Sequence, residues 1–298
     1  MLLSCSMLTL SDTSKQLYLE RFETADESVS MRSSTINELS GLASSIAHPG
    51  LLWAHNDSGD QARIFLIDPS TGEIRLETAL QGIKNVDFED ITIQTINEQT
   101  YIVVGDIGDN SGHRPLVSLH RVKEPTSLSK KRIVLPKSHI ETMHIKYAEG
   151  ARDAETLMSD VDGDLIIVTK REESNYLYSF TFEPEKTKTL ISKGRIKINN
   201  ITAGDINRDG EIVLRNYAQI FYWPASRTPA IKRLATEKPL GIPTAPEPQG
   251  EAIAWSNEHE LYSIPEKPFM FEQVIFHYPS KSALNTDLNT ETTSAITN

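Results

Sequence analysis

The sequence predicts an all-β fold, a propeller of five blades with four antiparallel strands each. Three observations predict it. A short acidic or small polar motif recurs five times at a spacing of about fifty residues. Each occurrence is followed by apolar, β-branched or aromatic runs of strand length. No segment carries a sustained helical period.

The five motifs run Glu38–Ala43, Asp87–Thr92, Asp153–Met158, Thr202–Asn207 and Gln249–Ala254. Aligned on Ser40, Glu89, Glu155, Gly204 and Glu251, they lie 49, 66, 49 and 47 residues apart. Second strands are expected at Leu51–Ala54, Tyr101–Val104, Leu165–Val168, Glu211–Leu214 and Glu260–Ser263. Asp162-Gly163 and Asp209-Gly210 supply tight hairpin turns, because both residue types tolerate a positive φ. Third strands follow at Arg63–Asp68, Leu116–Val122, Tyr176–Phe182, Gln219–Trp223 and Met270–His277, each alternating as a half-buried strand does. Fourth strands are expected at Glu73–Ala79, Ile140–Tyr147, Leu190–Ile198 and Ile231–Ala235. The fifth unit lacks one, and the alternating stretch Leu17–Phe22 is assigned to complete it and close the ring, since an open sheet would leave pairing edges exposed. The long second interval leaves a six-bladed ring as the alternative, but Lys123–Ser138, with Pro125 and Pro136, reads as an insertion between strands. Residues 1–14 read as a flexible N-terminus, 15–279 as one propeller domain, and 280–298, rich in Ser, Thr and Asn, as a disordered tail.

A formal charge of -11 over 298 residues argues against nucleic acid or an anionic membrane as partner, since both need a basic face. The single cysteine, Cys5, excludes an internal disulfide and a cysteine-based zinc site. Cys5 follows Leu2-Leu3-Ser4 as in the end of a bacterial lipoprotein signal, without the basic and apolar regions that precede such a cysteine, so an ordinary residue is the preferred reading. With a start further upstream the protein would be exported and lipid-anchored, which makes a periplasmic or extracellular location the expectation and a cytoplasmic one the alternative. No run approaches the ~18 apolar residues of a membrane span. A monomer is expected.

In a propeller the first strand of each blade lines the central channel, and side chains two apart share a face. The motifs therefore present two rings: Ser40, Glu89, Glu155, Gly204 and Glu251, and above them Glu38, Asp87, Asp153, Thr202 and Gln249. Asp90 and Asp205 sit one position further on. Carboxylates this close repel unless a cation neutralises them, and an all-oxygen donor set of irregular geometry suits calcium better than magnesium. The expected calcium ligands are Glu38, Asp87, Glu89, Asp90, Asp106, Asp153, Glu155, Asp205 and Glu251. The competing reading is that these acids accept backbone N–H bonds or pair with Lys170, Arg171 and Arg215.

The ends of the second strands return to the same face. They bring Asn56, Asp57, Asn110, Lys170, Arg171 and Arg215 around the funnel as expected contacts to a small-molecule, sugar or peptide ligand, the arginines suited to anionic oxygens. Glu89 and Glu155 are the candidate catalytic carboxylates, with His55 third and weighed first as a turn-capping or packing residue. Asp160–Asp164 resembles a calcium loop but lacks the distal glutamate and falls where a hairpin turn is needed. Asp106–Asn110 reads as a Gly-assisted turn with a ligand role left open.

The recurrence of Glu38-Leu39-Ser40, Asp87-Phe88-Glu89, Glu155, Asp205 and Gln249-Gly250-Glu251 resembles the SdiA-regulated (YjiK-like) bacterial propeller family. The resemblance implies a five-bladed propeller with calcium in the funnel, in exported bacterial proteins. It is more distantly similar to calcium propellers that hydrolyse lactones, phosphotriesters or phytate. Two function classes follow: a calcium-binding platform for a ligand or partner, and a calcium-dependent hydrolase of lactone, phosphoester or aryl-ester substrates.

Overall fold

The computed structural model describes residues 22, 25, 27–33, 35–36, 38–244, 247, 249–265 and 273–280. They form five sheets around a central channel. Blade 1 is Leu39–Ser44, Leu52–Asn56, Arg63–Asp68 and Glu73–Leu80. Blade 2 is Phe88–Ile96, Gln99–Asp106, Val117–Lys123 and Ile140–Tyr147; blade 3 is Ala154–Ser159, Leu165–Thr169, Asn175–Phe180 and Gly194–Ile196. Blade 4 is Ile201–Ile206, Ile212–Asn216, Ile220–Trp223 and Leu240–Ile242; blade 5 is Gly250–Trp255, Leu261–Pro265, Val274–Tyr278 and Glu27–Ser30.

Five hydrophobic cores lie between the blades, one at each interface. Leu42, Phe65 and Ile67 of blade 1 pack on Ala254, Ile264 and Ile275 of blade 5, so the ring closes on apolar contacts as well as hydrogen bonds. Each fully buried Leu, Ile or Phe contributes roughly 1.5–3 kcal/mol relative to exposure, which is why strands buried on both faces read as nearly continuous apolar runs.

The insertion Lys123–Ser138 explains the 66-residue interval without a sixth blade. Its Arg132–Leu135 crosses back to blade 1 and pairs parallel with Glu73–Leu80. Glu124 anchors the crossing: its buried carboxylate accepts hydrogen bonds from Ser45 Oγ (2.6 Å), Trp53 Nε1 (2.9 Å) and Ala47 N (3.1 Å) of blade 1. Blade 3 does the same to blade 2 through Thr187–Leu190, parallel to Ile140–Tyr147. The stretch expected as one strand, Leu190–Ile198, is thus shared between that added edge and the fourth strand Gly194–Ile196.

Two further expectations need correction. Ile231–Ala235 lies in a helix, Ala230–Thr236, and the fourth strand of blade 4 is Leu240–Ile242. Ala230, Arg233 and Leu234 face inward at helical spacing, but seven residues are too few to display a sustained period. The closing strand is Glu27–Ser30, antiparallel to Val274–Tyr278. Of Leu17–Phe22 only Phe22 is described; it bridges Ser280 and its ring meets Tyr222 edge-on at 5.5 Å. Residues 1–14 with Cys5, and 281–298, lie outside the described residues. Among the described residues no helix is long and apolar enough to cross a membrane.

Every first strand slips register by one residue against its second strand. The extra residue is Ser40, Glu89, Glu155, Thr202 or Glu251. A bulge re-aims its side chain and increases local twist. Thr202, not Gly204, is therefore the blade 4 member of the inner ring, and Gly204 is packed against Leu214 and Met158.

Candidate functional site

Of the five bulges, all but Thr202 line a cavity of about 670 Å³ at one end of the channel. Two of the five carry hydroxyls that lock neighbouring first strands together: Ser40 Oγ donates to Glu89 O at 2.9 Å, and Thr202 Oγ1 to Gly250 O at 2.7 Å. The other three present carboxylates. Around Glu89, Glu155 and Glu251 the wall is completed by Glu38, Asp57, Asn110, Lys170, Arg171, Tyr217 and Gln249.

The acidic half is built by blades 1 and 2. Asp57 begins the turn after Leu52–Asn56 and is pinned by Asp57 N to Glu38 O (2.8 Å) and Asn85 Nδ2 to Asp57 O (2.9 Å). Asp87 is held by its own N–H, which donates to Asp106 Oδ1 at 3.1 Å. Arg114 clamps the adjoining turn, donating to Asp106 Oδ1 and to Gly108 O, both at 2.6 Å. Asp109 caps the same turn, accepting from His113 N (2.9 Å) and Arg114 N (2.8 Å), while its N–H donates to Asp153 Oδ1 (2.8 Å). Asp106 and Asp109 thus shape the loop.

Carboxylate oxygens of Asp57, Asp87 and Glu89 lie within 4.8 Å of one another, as do those of Glu89, Asp153 and Glu155. Burial, then the charges of Glu155, Asp57, Asp87 and Asp153, holds the Glu89 carboxyl well above the usual carboxylate range. Burial and Asp57 push Asp87 up to about 6, with Arg114 opposing. Glu89 is 5% exposed, and its carboxyl has no hydrogen bond or ion pair among the described residues.

The other half is self-neutralised. Lys170 Nζ contacts Glu155, Arg171 Nε pairs with Asp153 Oδ2 at 2.5 Å, and Arg171 also reaches Asn110. The Lys170 ammonium stands 4.9 Å from the Tyr217 ring centroid.

Several expected site residues lie elsewhere. Asp90 is buried in the channel wall, accepting from Ile91 N (2.9 Å) and Leu157 N (2.8 Å). Asp205 accepts from Ile206 N (2.8 Å) and Trp255 N (2.9 Å) and lines a separate cavity at the opposite mouth. Arg215, 1% exposed, runs beneath blade 5, pairing with Glu247 at 3.0 Å and donating to Ala252 O at 3.3 Å. His55 is fully buried edge-on to Phe88; its Nδ1 lies 3.0 Å from Asn56 O, and burial lowers its pKa to about 4. Asn56 is buried and donates to Thr35 O and Asp60 Oδ2. Sequence reasoning missed Tyr217 and Gly108. Tyr217 was findable, since it leaves the second strand of blade 4 as Asp57 and Lys170 leave theirs.

No protein-family model and no curated protein sequence matches the chain. Its backbone is similar to the PQQ-bound aldose sugar dehydrogenase of Streptomyces coelicolor (11% identity, 88% of this chain and 99% of that one, TM-score 0.49). It is also similar to a gluconolactonase of Xanthomonas campestris (12% identity, 87% and 98% covered, TM-score 0.44). A third is regucalcin, a calcium-binding protein of Agrobacterium tumefaciens (10% identity, 82% and 90% covered, TM-score 0.41). The likeness is one of backbone only.

The geometry of the funnel fits a hard cation. The donors are all carboxylate oxygens, and the glycine at 108 leaves space among them: a Cβ there would lie 2.1 Å from Glu89 Oε1 and 2.5 Å from Asp87 Oδ2.

Proposed function

We propose that the funnel binds calcium through Asp57, Asp87 and Glu89, and that the protein presents this centre to a small-molecule, sugar or peptide ligand. The observation that carries the reading is Glu89, a buried carboxyl without a hydrogen bond or ion pair among the described residues, facing other carboxyls. Such a group persists at neutral pH only as an acid or beside a cation. When bound, the ion supplies positive charge and open coordination positions for ligand oxygens. The chain's own residues hold the three carboxylates in place, through the Arg114 clamp and the Asn85 bond, and offer Asn110, Arg171 and Tyr217 as further ligand contacts.

The test is calcium titration of chelator-treated protein by calorimetry and thermal melting. A binding heat and a higher melting temperature are expected; neither appearing would overturn the reading.

Stability without metal should fall between pH 6.5 and 8. Asp205 (about 7), Glu155 (about 8), Glu89 and Asp90 keep protons in the folded chain that unfolded carboxyls lose near pH 4, and Asp87 (about 6) acts in the same sense below the window. Their contribution is complete below pH 4 and is lost as pH rises through the folded values. His55 (about 4) and His120 (about 3) act oppositely, but only below 6.5, where their unfolded forms take up protons. Melting in chelator across this window checks the sign, and a rise would contradict it. Saturating calcium should flatten the slope, because the ion replaces the protons of its ligands.

Gly108→Ala should weaken calcium binding by about tenfold or more, because the new methyl forces Glu89 and Asp87 apart. Unchanged affinity by calorimetry would remove residue 108 from the cradle.

One observation favours hydrolysis as a second reading. Glu89 and Glu155, both raised in proton affinity chiefly by burial, approach within 4.8 Å and can share a proton for a leaving group. A panel of lactones, phosphoesters and aryl esters decides it; no turnover sensitive to Glu89→Gln would exclude it.

A further inference from the structure

Blades 2 and 3 meet one electrostatic problem in two ways. Each brings an aspartate and, two residues on, a bulged glutamate to the funnel: Asp87 and Glu89, Asp153 and Glu155. Each then folds the next turn back over its aspartate by the same backbone bond. Gly108 N donates to Asp87 O at 3.2 Å, and Lys170 N donates to Asp153 O at 3.0 Å. Gly108 and Lys170 therefore make the same backbone bond, Gly108 one residue further past its strand than Lys170, because Ile107 intervenes after Asp106. Blade 3 has an ammonium where blade 2 has no side chain.

The Lys170 ammonium does not wander. Its side chain is 4% exposed, in contact with Glu155 and with the Tyr217 ring beside it. Glu155 belongs to the set Glu89, Asp153 and Glu155, whose oxygens approach within 4.8 Å, the separation of groups that share a cation. Of the three carboxylates, Asp153 is paired with Arg171 and Glu155 with Lys170, while Glu89, 5% exposed and without a hydrogen bond or ion pair among the described residues, reaches into the set from blade 2.

We propose that Lys170 is a built-in cation occupying a second divalent-metal site formed by Glu89, Asp153 and Glu155, and that it limits the funnel to one metal ion. The proposal rests on the calcium reading above. Glu89 is common to both sets, so two divalent ions would lie side by side across one carboxylate, as in two-metal centres. A tethered single charge satisfies Glu155 with less repulsion toward an ion at Asp57, Asp87 and Glu89, and without drawing a second ion from solution.

The experiment counts bound calcium by equilibrium dialysis and elemental analysis on the full chain, wild type and Lys170→Gln. One ion per chain is expected for wild type and two for Lys170→Gln. One ion in both would overturn the proposal and leave the calcium reading standing. None in wild type and one in Lys170→Gln would overturn the calcium reading and leave Lys170 as the cation that fills its site. None in either would overturn both. Should Lys170→Gln fail to fold, Lys170→Met, which keeps the apolar stem and removes the ammonium, decides by the same count; one ion in both wild type and that variant would overturn the proposal.

Discussion

Glu89→Gln is expected to lower the calcium affinity of the funnel by at least about a hundredfold, roughly 2.7 kcal/mol, while raising the melting temperature of the metal-free protein. Both signs follow from one group. With metal, glutamine removes one of three carboxylates from the donor set, and a unit charge pair at 4 Å is worth about 4 kcal/mol at an effective dielectric of 20. Without metal, the same change relieves the repulsion of Glu89 by Glu155, Asp57, Asp87 and Asp153 and needs no proton to do so. Glutamine keeps the volume, so the bulge and the Ser40 bond to Glu89 O should survive. Calorimetry with melting in chelator and in calcium reads all of this together. A variant less stable in chelator, with unchanged calcium affinity, would make Glu89 a structural residue.

Arg215→Met should cost about 3–5 kcal/mol of folding stability and leave calcium affinity within threefold of wild type. The guanidinium is enclosed, and Gly250 makes room for it: a Cβ there would lie 1.2 Å from Arg215 Nη2. Its removal strands the buried Glu247 carboxylate, which also accepts from Ser263 Oγ (2.7 Å) and from Tyr278 OH. Those two bonds do not replace a charge. Urea unfolding measures the loss. A loss under about 1 kcal/mol together with weakened calcium binding would return Arg215 to the funnel.

The ring was readable because its repeat is written in chemistry that recurs: an acid, a bulged residue, then paired apolar strands. The bulge itself was not, since a one-residue slip has no compositional mark. In blade 4 the likeness of Ala203-Gly204-Asp205 to the other motifs drew the alignment two residues past Thr202, and Asp205 with it. Which cations serve ligands and which are consumed was also hidden. Lys170, Arg171 and Arg215 look alike in sequence, yet one is buried on Glu155, one half-exposed on Asp153 and one enclosed with Glu247. The closing strand misled for another reason. Leu17–Phe22 alternates more strongly than Glu27–Ser30, but a strand added to an existing edge is chosen by pairing more than by its own propensity.

That closing strand also separates blade 5 from the rest in time. Four blades are assembled from contiguous chain, whereas Glu27 must find His277, some 250 residues away. Closing a loop of that length is entropically unfavourable and slow compared with a hairpin, so the seam between Glu27–Ser30 and Val274–Tyr278 is expected to form late in folding. Until synthesis reaches Tyr278, Glu27–Ser30 has no complete edge to join.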